Sequence, residues 1–412
     1  MSMKFAYPRL PLNDTVEIFS KKVQITQLPK NLKLMEDEGI AGAQCLESAL
    51  LYRSVKNLYE VRGTITPSGD YLAMFPVGEH FSGFEKKANT MIALRSKDRG
   101  KTWSAPYLPF KNIDYNQHAF VPYIPKRSKR IYSYGTQPVW GLYSRKRSRE
   151  NAPVGYMFSD DDGYNWKGPE LIFPVNAPEF LGISVMRLCE TNRGTLLFSS
   201  SDNITDCKPY IVSQYILRSE DKGKSWRVIP EYKGFGSGWN FRPQCFMGEG
   251  TPFQIGEKIL MLERAPEGHL WIMYSNDDGK TWTAPEPTSL VHPDAPPMSI
   301  VLSDNKTLLC LHHNRGHLAV NNGTDWNQRS EIWVSFSQDC GKTWSEPAFL
   351  FCNAAKPEGD NAFNNFQCSY IDMFIDSGVL NLFVPHLWRQ VLHLQIKEKD
   401  LYNLPKKLEL GV

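Results

Sequence analysis

Long apolar runs are missing from this chain of 412 residues, and no segment approaches the roughly 18 consecutive apolar residues that a membrane-spanning helix needs. The opening stretch, MSMKFAYPRLPLNDT, also lacks the apolar centre of a secretory signal, so a soluble, cytoplasmic protein without a membrane partner is expected. Charge of one sign is not in excess. A formal net charge of +3 gives no reason to expect nucleic acid. Two basic stretches, KRSKRIYSYG (126–135) and YSRKRSRE (143–150), come without a nucleic-acid-binding motif and read as solvated loops. The eight cysteines are scattered, with no CxxC pair and no zinc-like Cys/His spacing, so free thiols are expected and neither metal nor other cofactor is called for. Helix-like patterning is nearly absent outside the termini, which leaves an all-β fold.

What the chain does have is a repeat. The pattern Ser-x-Asp-x-Gly-x-x-Trp occurs five times, as SKDRGKTW, SDDDGYNW, SEDKGKSW, SNDDGKTW and SQDCGKTW, beginning at Ser96, Ser159, Ser219, Ser275 and Ser337. The spacings are 63, 60, 56 and 62 residues. Each copy follows a strand-like run (NTMIALR, VGYMF, QYILR, HLWIMY, EIWVSF), which places the box on a hairpin turn. Glycine supplies the positive φ of such a turn, Asp and Ser can bond its amides, and Trp packs beneath the next strand. A calcium loop would need several carboxylates, whereas SKDRG and SEDKG set Lys or Arg beside their one well-placed Asp. The box is therefore read as a structural turn.

A period near 60 residues suits a four-stranded propeller blade with one long loop. Five boxed units and a final unboxed run, SYIDMFIDSGVLNLFVPHLWRQVLHLQI, make six. The expectation is one six-bladed β-propeller over residues 1–412, with four-stranded antiparallel blades. A strand near residues 16–25 (VEIFSKKVQI) is expected to close the last blade, because closure removes exposed sheet edges.

The box resembles the Asp-box, or BNR repeat, of the sialidases (neuraminidases), and the stretches between boxes extend the resemblance over roughly residues 40–396. GEGTPFQIGEKILMLER resembles the blade that supplies a Glu and then an Arg, matching Glu249 and Arg264. TDWNQRSEIWVSFSQDCGKTW is similar to the blade with a second carboxylate-binding Arg, here Arg329, and CSYIDMFIDSGVLNLF to the nucleophile strand, here Tyr370 and Asp372. YEVRGTITPSGDYLAMF is similar to the first-blade strand, with Arg62 as its arginine. The resemblance implies an exo-acting glycoside hydrolase of retaining type, working on an oligosaccharide or small molecule with an acidic terminal sugar. A carboxylate on the anomeric carbon would repel an anionic nucleophile, so a neutral Tyr370 activated by Glu249 suits the chemistry. Arg62, Arg264 and Arg329 would grip the carboxylate with planar forks.

The chain departs from the family in three places. Where the family has an acid Asp eleven residues before the first box, this sequence has Glu85, with Glu79 and Asp114 as further candidates for the general acid. Where a Glu usually orients the first arginine, it has Val384, Pro385 and His386, which leaves Glu60 or Asp372 to hold Arg62. The Ile-Pro that normally follows that arginine is missing as well. Two further clusters, HHNRGH (His312, His313, Asn314, Arg315, His317) and VHPDAPP (His292, Asp294), are read as sugar-hydroxyl recognition or as ordinary loop packing, with His313, Arg315 and Asp294 as substrate-binding residues on the first reading. Metal binding there lacks the helical spacing of zinc motifs. Other acidic sugars, a lyase using Tyr and His, and a non-catalytic glycan-binding propeller are the competing readings.

Overall fold

The computed structural model describes residues 7–58, 60–78, 89–110, 120–136, 151–183, 185–204, 211–240, 246–316, 329–356 and 367–412. Strands dominate, and helical pieces such as Ile25–Gln27, Glu398–Asn403 and Lys407–Leu410 are short 3-10 turns. Among the described residues no helix is long and apolar enough to cross a membrane. The chain forms two compact units, one of Arg62–Pro266 and Trp271–Pro287, the other of Met1–Val61, Glu267–Leu270 and Thr288–Val412.

The Arg62–Pro266 unit is built from consecutive antiparallel sheets. The first pairs Arg62–Ile65, Tyr71–Gly78 and Thr90–Ser96; the second runs Val121–Tyr123, Ile131–Thr136, Val154–Ser159, Lys167–Ile172. The third is Leu188–Glu190, Leu196–Ile204, Ile211–Ser219, Arg227–Ile229, and the fourth begins with Gly248–Ile255, Lys258–Arg264 and His269–Ser275. Aromatic and aliphatic side chains alternate inward, so Tyr134, Phe180, Phe198, Tyr215 and Trp226 pack into one buried cluster.

In the second unit, Met298–Val301, Leu308–His312, Glu331–Ser337 and Ala348–Asn353 form a sheet that Ile40–Ala43 and Leu32–Met35 extend to six strands. Its neighbour is Asp372–Asp376, Val379–His386, Gln390–Lys397 and Glu47–Arg53. A core of Leu309, Ile332, Leu350, Leu382, Leu392 and Leu394 fills the space between these two sheets. The closing strand thus differs from the sequence expectation. Residues 16–25 do not complete the last blade but fold on themselves, Thr15–Ile18 pairing with Lys21–Gln24 through a turn with positive φ at Phe19 and Ser20. Glu47–Arg53 closes the sheet instead. The hairpin buries Val16 and Ile18 against Trp333 and Phe349, so apolar burial holds it in place.

All five boxes fold alike. In the fourth, the Ser275 hydroxyl donates to Asp277 and accepts the Gly279 amide, both at 2.9 Å. The other side of the turn is closed by the Thr281 amide and hydroxyl, which donate to the two Asp277 oxygens, and by Trp282 Nε1, which donates to Gly279 O. Both carboxylate oxygens are thereby engaged in the turn, which removes the donor set a calcium ion would need. The residue before each Gly is left-handed: Arg99, Asp162, Lys222, Asp278 and Cys340. Where that residue is Asp it also binds the preceding sheet. Asp162 accepts from Thr66, Ser68 and the buried Arg95, and Asp278 from Thr195 and Arg218.

Partial burial would raise the box aspartates, but the hydrogen bonds outweigh it and hold Asp221, Asp277 and Asp339 down at about 2, below their ordinary 3.8. A folded-state value below the unfolded one contributes stability above the unfolded pKa and loses it as pH falls towards the folded one. Calorimetry is expected to show Tm dropping between about pH 4 and about pH 2, with a shallower slope and a lower neutral-pH Tm in Asp277→Asn.

Candidate functional site

Glu249 stands on a strand defect. In the pairing of Gly248–Ile255 with Lys258–Arg264, Gly248 faces Arg264 and Thr251 faces Leu262, so two residues, Glu249 and Gly250, are accommodated opposite one. A bulge of this kind bends the strand and re-aims a side chain. Glu249 has φ +51°, and among the described residues it is the one non-glycine inside a strand with a left-handed backbone. Holding such a conformation costs about 1–3 kcal/mol, which the surroundings must offset. They do so through a neighbouring strand that is fully buried yet polar, Leu196–Ile204. The Glu249 amide donates to Ser201 Oγ, the Gly250 amide donates to Gln214 Oε1 at 2.9 Å, and Ser199 Oγ donates to Gly250 O. Gln214 is fixed in turn, its amide nitrogen donating to the carbonyls of Ser200 and Tyr215.

The re-aimed carboxylate meets Arg264, whose Nη1 donates to Glu249 Oε2 at 2.5 Å, and the Arg264 guanidinium lies 5.3 Å from the Phe246 ring centre. This unit therefore brings two of the expected residues together, the arginine holding the glutamate. Arg62 begins its own strand, is buried, and donates through Nη2 to Met186 Sδ at 3.5 Å.

In the other unit, Arg329 is wholly buried, with Nη1 donating to Gln367 and Ser369 and Nη2 to the Asp294 carbonyl. Its guanidinium carbon lies 5.9 Å from the centre of the Tyr370 ring, which meets Trp388 edge-on. Tyr370, just before the strand Asp372–Asp376, is also left-handed, at φ +63°. Arg329, Asp294 and Tyr370 thus share one neighbourhood, and Asp372 opens the next strand, half-buried and paired with Phe383.

The histidine loop is different from what its sequence suggests. His313 has no exposed surface; it stacks on His292 and its Nδ1 contacts the Glu331 carbonyl, so it is not presented to a sugar. His312 is held by Val291 O and Ser335. Burial pushes His312 down to about 4 and His313 and His386 to about 3, so none carries the proton that a general acid near neutral pH needs. Arg315 is drawn into a tie between elements. Its Nε donates to the buried Glu331 and its Nη1 to Glu17 of the N-terminal hairpin, whose Phe19 amide also donates to Glu331. His386, where the family's orienting Glu would stand, bonds Asn353 and Gln390. Among the described residues no three His, Cys, Asp or Glu are grouped to hold a metal ion.

Glu79, Glu85, Asp114 and His317 lie outside the described residues. Sequence reasoning missed Gln214, Ser201 and the buried Glu263, although two signals were present. Glycines flanking Glu249 inside a strand mark a bulge, and the run SSSDN in an otherwise apolar strand marks buried polar partners. Arg315→Met should lower the thermal midpoint by several degrees, since breaking a buried ion pair costs about 3–5 kcal/mol. Calorimetry of the variant beside the wild type would register the change.

Residues 131–382 match the BNR repeat-like domain, and the chain belongs to that family. No curated protein matches the sequence. Among solved structures, a Dyadobacter fermentans protein of unknown function is similar at TM-score 0.61 and 15% identity, covering 86% of this chain and 99% of that one. A Hadza microbial sialidase is similar at TM-score 0.58 and 19% identity, covering 83% of this chain and 66% of its own. The Trypanosoma rangeli sialidase in complex with the inhibitor DANA follows at 0.56 and 14%, covering 85% and 56%. This chain thus spans about two thirds of the first sialidase and just over half of the second. At such identities the likeness establishes the fold, a six-bladed β-propeller.

Proposed function

We propose that this chain is an exo-acting glycoside hydrolase of sialidase type that releases a terminal sialic acid or a related acidic sugar with retention of configuration. The observation that carries the reading is the backbone of two residues. Glu249 and Tyr370, which stand at the base and nucleophile positions of the family pattern, are both held left-handed, and neither belongs to an Asp-box. Strain of this sort persists where surroundings over-determine it, and it clusters at sites that need a fixed side-chain direction.

In the proposed reaction, Tyr370 Oη attacks the anomeric carbon and its proton passes to Glu249. The bond to the leaving oxygen breaks as Glu85, the residue at the family's acid position, protonates it. Water, giving a proton to the Glu85 carboxylate, then attacks the anomeric carbon and breaks the tyrosyl-sugar bond as Glu249 returns the proton to Tyr370 Oη, and this second displacement restores the original configuration. Arg62, Arg264 and Arg329 are assigned to the substrate carboxylate, and Asp372, two residues after the nucleophile, to substrate binding. Localisation in the cytoplasm is part of the proposal, and an imported or intracellular glycoconjugate would then be the substrate.

A second reading, a glycan-binding propeller without catalysis, is favoured by the complete burial of Arg329 and by His386 where the orienting Glu is usual. Turnover of 4-methylumbelliferyl N-acetylneuraminic acid separates the two. Release by the wild type, reduced about 10²–10⁴-fold in Tyr370→Phe, Glu249→Gln and Glu85→Gln, is the expected result. A wild type that binds sialosides but releases nothing would favour the second reading.

A further inference from the structure

The bulge that carries Glu249 is faced by one residue that the proposed reaction does not use. Glu249 and Gly250 lie between the pairs Gly248 with Arg264 and Thr251 with Leu262, which leaves Glu263 alone opposite them. Glu263 has no exposed surface, and neither of its carboxyl oxygens has a hydrogen-bond partner among the described residues. Its carboxyl lies directly over Gly250: a Cβ added there would sit 2.6 Å from Oε1 and 2.7 Å from Oε2. Gly250 is not left-handed, so glycine is required at this position for space and not for φ.

An ionised carboxylate buried without donors would be strongly disfavoured. Burial accordingly pushes the Glu263 carboxyl well above the ordinary carboxylate range, which favours its uncharged form. Its chain neighbour Arg264 pairs with Glu249. The space over Gly250 is filled, and the bulge cannot relax by moving its backbone towards the opposite strand. On its other edge Glu263 is paired with Trp271, so its backbone is held in register by the next strand.

We propose that Glu263 is a positioning residue, a side chain that fills the space over Gly250 and fixes the bulge in the conformation that turns Glu249 towards Arg264. The role rests on reading Glu249 as the catalytic base. It acts through shape, so a neutral residue of the same outline serves equally and a smaller one does not.

Four variants test this: Glu263→Gln, Glu263→Ala, Gly250→Ala, and the double variant Gly250→Ala/Glu263→Ala. Each is assayed on the aryl sialoside and by calorimetry. Glu263→Ala is expected to lower kcat at least about tenfold while KM stays within about threefold, because the carboxylate-gripping arginines are untouched. Glu263→Gln is expected to rescue kcat, KM and the pH profile to within about twofold of the wild type. Gly250→Ala should lower Tm, and the double variant should regain part of that loss, since the two side chains compete for one space. Equal loss of turnover in Glu263→Gln and Glu263→Ala would overturn the proposal, because a charge or a proton would then be in use. Wild-type turnover in Glu263→Ala would overturn it too. If the wild type cleaves no sialoside, the sialidase reading fails on its own, and the Tm cycle still judges the contact: strict additivity of the two single variants would sink it.

Discussion

The turn closed by one serine hydroxyl and one aspartate carboxylate is the interaction on which the rest of this structure depends. In each box the Ser oxygen bridges the Asp carboxylate and the Gly amide, and the Asp in turn takes the amide and the side chain four residues on. These bonds satisfy the donors that a tight left-handed turn leaves open, so two strands of a sheet can be joined without an exposed polar end. Five such turns set five hairpins at similar chain spacing. Where the fourth box residue is Asp, the same turn reaches to the preceding sheet through a buried arginine, Arg95 or Arg218, and couples local closure to packing between sheets. Lys222 and Cys340 hold the same backbone angle without that link, which separates the conformational requirement from the electrostatic one.

Against this regular frame the departures stand out. Glu249 is turned by a bulge whose polar groups are met by Ser199, Ser201 and Gln214, from strands that are otherwise closed to solvent. Tyr370 is turned just before its strand begins, beside the Arg329 guanidinium and the Trp388 ring. Both arrangements place a polar side chain where regular strand alternation would not, and both are over-determined by hydrogen bonds or packing on either side. The buried histidines do the opposite work. They are neutral, paired with carbonyls and hydroxyls, and serve to fill and cross-link the sheet that ends in Arg315 and Glu331. Burial lifts the Glu331 carboxyl above its ordinary range even though Arg315 draws it back.

Much of this was legible in the chain itself. A motif with fixed internal spacing reports a local structure whose partners lie within eight residues, so the boxes and their hairpins follow from sequence alone. The link between Glu249 and Arg264 was legible for the same reason, because a single hairpin joins them and its register sets Gly248 opposite Arg264. The last-blade closure was not, since Glu47–Arg53 and residues 16–25 are both short strand-like segments and only pairing across the chain chooses between them. The histidine cluster misled because adjacent polar residues look alike whether they face a ligand or a neighbouring carbonyl.

The sequence by itself determined the six-fold strand pattern and the turn chemistry, both of them consequences of contacts near in the chain. Only the tertiary structure decided which polar groups are buried, which carboxyls can ionise, and which way Glu249 and Tyr370 turn. Those properties depend on desolvation and on hydrogen-bond partners brought from distant strands, such as Gln214 to Gly250 and Gln367 to Arg329, and no local pattern encodes them.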